Sequence, residues 1–106
     1  MTHGIKAAVV ILLAALIAVP AFALSSGADL YKAKCAMCHG ADGLAATPMG
    51  KNMKVLSFKD PKMLKASDAQ FFASTKNGLN KMPAYNGKLT DQQIKDVIAY
   101  IRTLQK

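Results

Sequence analysis

The motif CAMCH, residues 35–39, constrains the fold of this 106-residue chain more than any other feature of the sequence. It contains both cysteines of the chain and one of its two histidines. The other histidine, His3, lies in the apolar N-terminal segment. Any interpretation must therefore explain why two thiols and an imidazole occur together at this spacing.

Two cysteines separated by two residues have several common uses, and the surrounding sequence favours one of them. A redox dithiol normally follows a strand, whereas the pattern before Cys35 is helical. A zinc site needs four ligands, and residues 24–106 offer no cysteine or histidine outside the motif. A disulfide between Cys35 and Cys38 would close too short a loop to contribute much stability. The remaining use is covalent haem attachment, in which both thiols form thioethers and the adjacent His39 binds the iron.

The first 23 residues have the features of a secretory signal peptide. Lys6 is followed by an uncharged run over residues 7–23, which ends in Ala21-Phe22-Ala23, a pattern typical of a cleavage site. We predict cleavage after this site and a single domain over residues 24–106. An uncleaved membrane anchor is the alternative, although the run is at the short end of the roughly 17–25 residues that span a bilayer.

Three segments of the domain have helical patterns. Ser26 begins the first helix, which leads directly into the motif. Ser67 and Thr90 begin the second and third, because each is followed at the third position by the glutamine of a capping box. Gly78 is placed to end the second helix, and Pro61 suits the first position of an additional short helical turn.

The predicted core is small. The last helix has apolar residues at the i, i+3, i+4 and i+7 positions of one face; these are Ile94, Val97, Ile98 and Ile101, extended by Tyr100 and Leu104. The loops around residues 40–53 and 77–89 are long for a chain of this size. We therefore predict an all-α fold in which short helices and long loops surround a large apolar group, the haem, without which the chain would be largely unfolded.

If His39 binds one face of the iron, a second axial ligand is expected on the opposite face. With no second histidine in the domain, methionine is the usual choice, and its thioether raises the reduction potential. Met37 lies inside the motif and cannot reach the opposite face. Met82 lies in the loop between the second and third helices, where Pro83 stiffens the chain. We predict Met82 as the ligand, with Met49 and Met53 as alternatives.

Two stretches, CAMCHGADG at residues 35–43 and NGLNKMPAYNGKLTDQQIKDVIAYI at residues 77–101, resemble class I cytochromes c. These are the small soluble cytochromes c of bacteria and photosynthetic organisms, and the resemblance covers nearly all of residues 26–105. The attachment motif alone is common to many haem proteins. Its combination with Met-Pro-Ala-Tyr, a Leu-Thr-Asp helix start and a tyrosine in the last helix is much more specific.

The resemblance implies the small cytochrome c fold, with three main helices and long loops around one covalently bound haem c. It implies that Cys35 and Cys38 form the thioethers and that His39 and Met82 are the axial ligands. In similar proteins a proline at the place of Pro48 lends its carbonyl to the free ring nitrogen of the histidine ligand; a plain turn proline is the alternative. The first and last helices are expected to pack against each other near their ends.

The predicted function is one-electron transfer between redox partners by a carrier that is not an enzyme, since a six-coordinate iron leaves no position for a substrate. The chain has 14 basic and 6 acidic side chains, which predicts transient binding to acidic surfaces of soluble or membrane redox proteins. A solvated surface is the simpler explanation of this charge. The lysines expected near the haem edge are Lys34, Lys51, Lys54, Lys76, Lys81 and Lys88. We expect a monomer that does not bind nucleic acid or remain inserted in a membrane, located in the periplasm or, in a photosynthetic organism, the thylakoid lumen.

Two other functions stay open at this stage. A peroxidase-like or gas-sensing haem protein would need a displaceable sixth ligand and preferably a distal acid–base residue, and the domain has neither a second histidine nor any glutamate. A haem subunit of a larger oxidoreductase would look like an independent carrier when only its sequence is considered.

Overall fold

The computed structural model describes residues 25–106. The predicted signal peptide lies outside the described residues, so its cleavage stays a prediction. The described part contains six helices: α1 Gly27–Lys34, α2 Ala36–His39, α3 Pro48–Asn52, α4 Pro61–Lys65, α5 Asp68–Asn77 and α6 Asp91–Leu104. Strand pairing within residues 25–106 is limited to two isolated bridges, and the predicted all-α class is confirmed. None of the helices in this range is long and apolar enough to cross a membrane.

The three main helices begin where their capping residues predict. The Ser26 hydroxyl accepts a hydrogen bond from the backbone N–H of Asp29 at the start of α1. Ser67 and Thr90 both complete reciprocal capping boxes with the glutamines three residues later. Gly78 follows α5 with φ of +80°, a conformation that a residue without a Cβ adopts easily. Each cap pairs backbone donors that would otherwise be unsatisfied and contributes about 1 kcal/mol.

The short helices α3 and α4 differ in how clearly the sequence predicts them. The helical turn expected at Pro61 is confirmed as α4, capped by the Asp60 carboxylate. Helix α3 lies within a segment that the sequence predicts to be a loop. It begins with the same arrangement, because Thr47 caps it and Pro48 occupies its first turn. Proline is favoured there since its missing N–H would have no helical partner.

Helices α1 and α6 pack against each other and form the centre of the core. They approach so closely at Gly27 that a Cβ atom there would overlap the backbone carbonyl of Asp96. Tyr31 lies 5.2 Å from Tyr100, measured between ring centroids, which confirms the expected contact of the first and last helices. The four apolar residues of the predicted α6 stripe are all buried: Ile94, Val97, Ile98 and Ile101.

We expect Gly27→Ala to lower the free energy of unfolding by about 1–3 kcal/mol, because the added methyl group would force α1 away from α6. Elsewhere in a helix the same substitution normally stabilises a protein. Chemical denaturation of the haem-loaded protein measures the effect. Lys32→Ala, an exposed change on the same helix, serves as the control and should be nearly neutral. An unchanged midpoint in Gly27→Ala would show that the helices separate without cost.

The C-terminal end of α6 holds the segment that carries α4. Arg102 pairs with Asp68 at 2.8 Å and donates to the carbonyl of Ala66 at 2.7 Å. The side-chain amide of Gln105 donates to the carbonyls of Phe58 and Met63 at 2.9 and 3.3 Å. The path of residues 57–66 is therefore fixed by α6 through side chains that bind backbone oxygens.

Candidate haem site

The CAMCH motif forms one helical turn directly after α1. The N–H of Cys35 donates to the carbonyl of Tyr31 at 2.8 Å, and the N–H of His39 donates to the carbonyl of Cys35 at 3.0 Å. Residues three apart on a helix lie on the same face, so Cys35 and Cys38 share one side. Both thiols are free. Met37 is 73 % exposed, as expected for a residue of the motif that takes no part in ligation.

Burial shapes the chemistry of two motif residues. It raises the pKa of the Cys35 thiol to about 11; Lys34 opposes this shift and Cys38 adds to it. Burial also lowers the pKa of His39, which favours the neutral imidazole at neutral pH. The neutral ring is the form that binds a metal through a nitrogen atom.

The imidazole of His39 is in contact with an aromatic ring. Its ring stacks on the ring of Phe58, with the centroids 4.7 Å apart and the planes 13° from parallel. Its Nδ1 atom is buried without a hydrogen-bond partner among the described residues. A hydrogen bond to the carbonyl of Pro48 was predicted for the free ring nitrogen, and the structure contains no such bond within residues 25–106. That role of Pro48 stays a prediction.

Thr47, which the sequence analysis did not identify, links helix α3 to the motif. The hydroxyl of Thr47 contacts the carbonyls of Met37 and Cys38 at 2.7 and 3.1 Å and accepts from the N–H of Gly50 at 2.9 Å. A Cβ atom at Gly50 would overlap the carbonyl of Cys38. A threonine before a proline is a helix-start signal; it predicts the cap of α3 but not the contact of Thr47 with the motif.

Met82 lies in a tight turn that is tied to the motif. Its N–H donates to the carbonyl of Leu79 at 2.9 Å, and the N–H of Leu79 donates to the carbonyl of Met82 at 3.2 Å. The hydroxyl of Tyr85 donates to the carbonyl of Lys34 at 2.9 Å, next to Cys35. Burial raises the pKa of Tyr85, and the nearby thiols of the motif raise it further. The loop with the predicted methionine ligand therefore runs beside the predicted attachment site.

The residues present fit a covalently bound haem. Two unpaired thiols on one face of a helical turn match the two vinyl groups of one porphyrin edge, and a buried imidazole follows them directly. The segments after the motif also present apolar side chains that the protein core leaves exposed; these are Leu44, Leu56, Leu64 and Leu79. Contact with an apolar macrocycle would remove such side chains from water, which is favourable.

Comparison with known proteins agrees with this geometry. Residues 22–101 match the family model described as cytochrome C oxidase, cbb3-type, subunit III. The chain is 38 % identical to cytochrome c6 of Nostoc sp. over 84 residues, which cover 77 % of this chain and 73 % of the relative. It is 38 % identical to cytochrome c6 of Limnospira maxima over 85 residues, covering 74 % and 89 % of the two chains. The chain belongs to the class I cytochromes c.

A solved structure supports the same assignment. The protein named KustC0563 c-type cytochrome superimposes with a TM-score of 0.71 at 28 % sequence identity, over 77 % of this chain and all of that chain. This confirms the predicted cytochrome c fold. Membership of the family confirms the predicted cofactor, a covalently bound haem c, and the predicted function, electron transfer to and from redox partners rather than enzymatic catalysis.

Proposed function

We propose that this class I cytochrome c is a one-electron carrier whose haem is held by Cys35, Cys38, His39 and Met82. The observation that supports this most strongly is the single helical turn in which two free thiols and a buried imidazole are brought together. Met82 is proposed because its turn is tied to the motif through Tyr85, and Met49 and Met53 are the alternatives.

Each residue has a distinct proposed role. When bound, the haem supplies the one-electron couple. Cys35 and Cys38 anchor it through thioethers, so that the cofactor stays attached even if the fold opens. His39 and Met82 bind the iron in both oxidation states, which keeps the reorganisation on electron transfer small. The Pro48 carbonyl would accept from the free ring nitrogen of His39, fixing its tautomer and raising its basicity.

The intact mass and the optical spectrum of the exported protein test this proposal. We expect the mass of residues 24–106 plus one haem that survives denaturation, which would also establish cleavage of the signal peptide and export to the periplasm. We expect a low-spin spectrum in both oxidation states and a single reversible one-electron titration. A colourless protein with the mass of the polypeptide alone would contradict the proposed site, and a mass that includes residues 1–23 would indicate a tethered form.

We propose that redox partners bind the basic surface near the loops at residues 40–53 and 77–89. Lys34, Lys51, Lys54, Lys81 and Lys88 are exposed, and none of them forms an ion pair in the described part of the chain. Lys76 instead pairs with Asp91 at 3.0 Å, so its charge is partly neutralised. The surface therefore fits acidic faces of membrane or soluble redox proteins in transient complexes formed by a monomeric carrier.

We expect bimolecular electron-transfer rates with an acidic partner to fall steeply as the salt concentration rises. The screening length shortens from about 30 Å at 0.01 M to about 10 Å at 0.1 M ionic strength. Stopped-flow oxidation over this range measures the effect. Lys81→Gln should weaken the salt dependence, whereas Lys95→Gln, an exposed change on α6, should have less effect. Rates independent of salt would contradict steering by charge.

A second candidate function is that of a haem subunit bound to a larger oxidoreductase. It is favoured by one observation, the match of residues 22–101 to a family model described by the name of an oxidase subunit. Purification at endogenous levels distinguishes the two, because a subunit would co-purify with its enzyme in stoichiometric amounts. A peroxidase-like or gas-sensing function would be indicated instead by rapid binding of carbon monoxide to the reduced protein near neutral pH.

A further inference from the structure

Phe58 is the residue whose ring faces the proposed histidine ligand. Its ring lies 4.7 Å from that of His39 with an angle of 13° between the planes. Stacked aromatic rings at this separation attract each other in addition to the effect of burying their surface. The stacking acts on the whole face of the imidazole and therefore constrains the plane of its ring.

The backbone of Phe58 is fixed from two directions. Its N–H donates to the carbonyl of Gly43 at 2.9 Å, and its carbonyl accepts from the side-chain amide of Gln105 at 2.9 Å. A Cβ atom at Gly43 would lie 2.9 Å from Cδ2 of Phe58, so a glycine at that position makes room for the ring. The position of Phe58 is thus set by the loop after the motif and by the end of α6.

The ring of Phe58 is enclosed as firmly as its backbone. The residue is only 4 % exposed. The ring of Phe71 meets it edge-on at 6.1 Å, and that of Tyr31 lies 6.4 Å away at a tilt. The Arg102 guanidinium in turn lies over the ring of Phe71, 4.4 Å from its centroid. A ring enclosed by these contacts presents a flat surface to His39.

We propose that Phe58 is a positioning residue that sets the plane of the His39 imidazole, and through it the orientation of the axial ligand about its bond to the iron. The inference rests on the proposed role of His39 as a ligand. The hydrogen bond proposed for Pro48 would act on one atom of the imidazole, whereas Phe58 acts on its whole face. In a ferric low-spin haem, the orientations of the axial ligands, the imidazole plane among them, determine how unpaired spin is distributed over the porphyrin.

This distribution can be measured without any assay of electron transfer. The four haem methyl groups give strongly shifted proton NMR signals whose order and spread report the orientation of the ligand plane. We expect Phe58→Leu to change the order or spread of the four signals, because leucine removes the flat surface while keeping an apolar side chain. Phe58→Tyr, which keeps the flat ring, should restore the pattern of the unsubstituted protein.

Phe71→Leu is the matched control, because it removes an aromatic ring from the same core cluster without removing the surface on which His39 stacks. We expect both leucine variants to lower the melting temperature and only Phe58→Leu to alter the methyl pattern. An unaltered pattern in Phe58→Leu, or an equal change in Phe71→Leu, would overturn the proposal. If the proposed function itself were wrong, the unsubstituted ferric protein would already lack the shifted signals of a low-spin haem. The two failures can therefore be distinguished.

Discussion

Replacing Met82 by alanine is expected to remove the far-red charge-transfer band of the ferric protein and to lower its midpoint potential. In the proposed site the thioether of Met82 stabilises the ferrous state, and its loss would leave a position for water or another weak ligand. Axial ligands set haem potentials over a range of about 0.8 V, so a fall on the order of 0.1 V or more is expected. The reduced variant should also bind carbon monoxide rapidly, in contrast to the unsubstituted protein.

Optical spectroscopy and a redox titration measure these changes, and the chain provides matched controls. Met53→Ala and Met49→Ala remove thioethers from the segment around α3 and should keep both the band and the potential. If the band were lost in Met49→Ala or Met53→Ala and kept in Met82→Ala, the methionine ligand would instead lie in the segment around α3. The position of Tyr85, which ties the Met82 loop to the end of α1, makes Met82 the expected answer.

Helix starts could be predicted from the sequence because they are decided by neighbouring residues. The hydroxyl of Ser67 accepts from the N–H of Gln70 at 3.1 Å, and the side chain of Gln70 accepts from the N–H of Ser67 at 2.8 Å. Every atom of this arrangement lies within four residues. The same holds for Thr90 and for the periodic apolar face of α6, which is why these elements were identified correctly.

Contacts between distant parts of the chain could not be predicted in this way. Tyr85 and Lys34 are 51 residues apart, and no local pattern indicates that a tyrosine hydroxyl will meet that carbonyl. Phe58 is a single aromatic residue in the loop before α4, and its place against His39 depends on a backbone bond to Gly43 and on Gln105. The sequence therefore indicates which residues are candidates for binding the haem, while the contacts that surround them required the three-dimensional structure.

Cys35 and Cys38, the proposed thioether anchors, should matter more for the fold than any other pair of side chains. The core cluster of buried residues contains nine members, four of which lie on α6. A domain of this size that relies on apolar burial alone is marginally stable. An apolar cofactor that contacts the loops would supply the missing surface, and its binding energy then becomes folding energy.

The double variant Cys35→Ala/Cys38→Ala is therefore expected to lose both the covalent haem and most of its helical structure. Intact mass under denaturing conditions would show the polypeptide alone, and the far-ultraviolet circular dichroism would fall toward that of an unfolded chain. Met37→Ala changes the same helical turn at a position that is 73 % exposed and should keep haem, colour and helicity. Native helicity and a cooperative melt in the double variant without haem would contradict this prediction. The nine buried side chains of the core would then be enough to order the long loops around them.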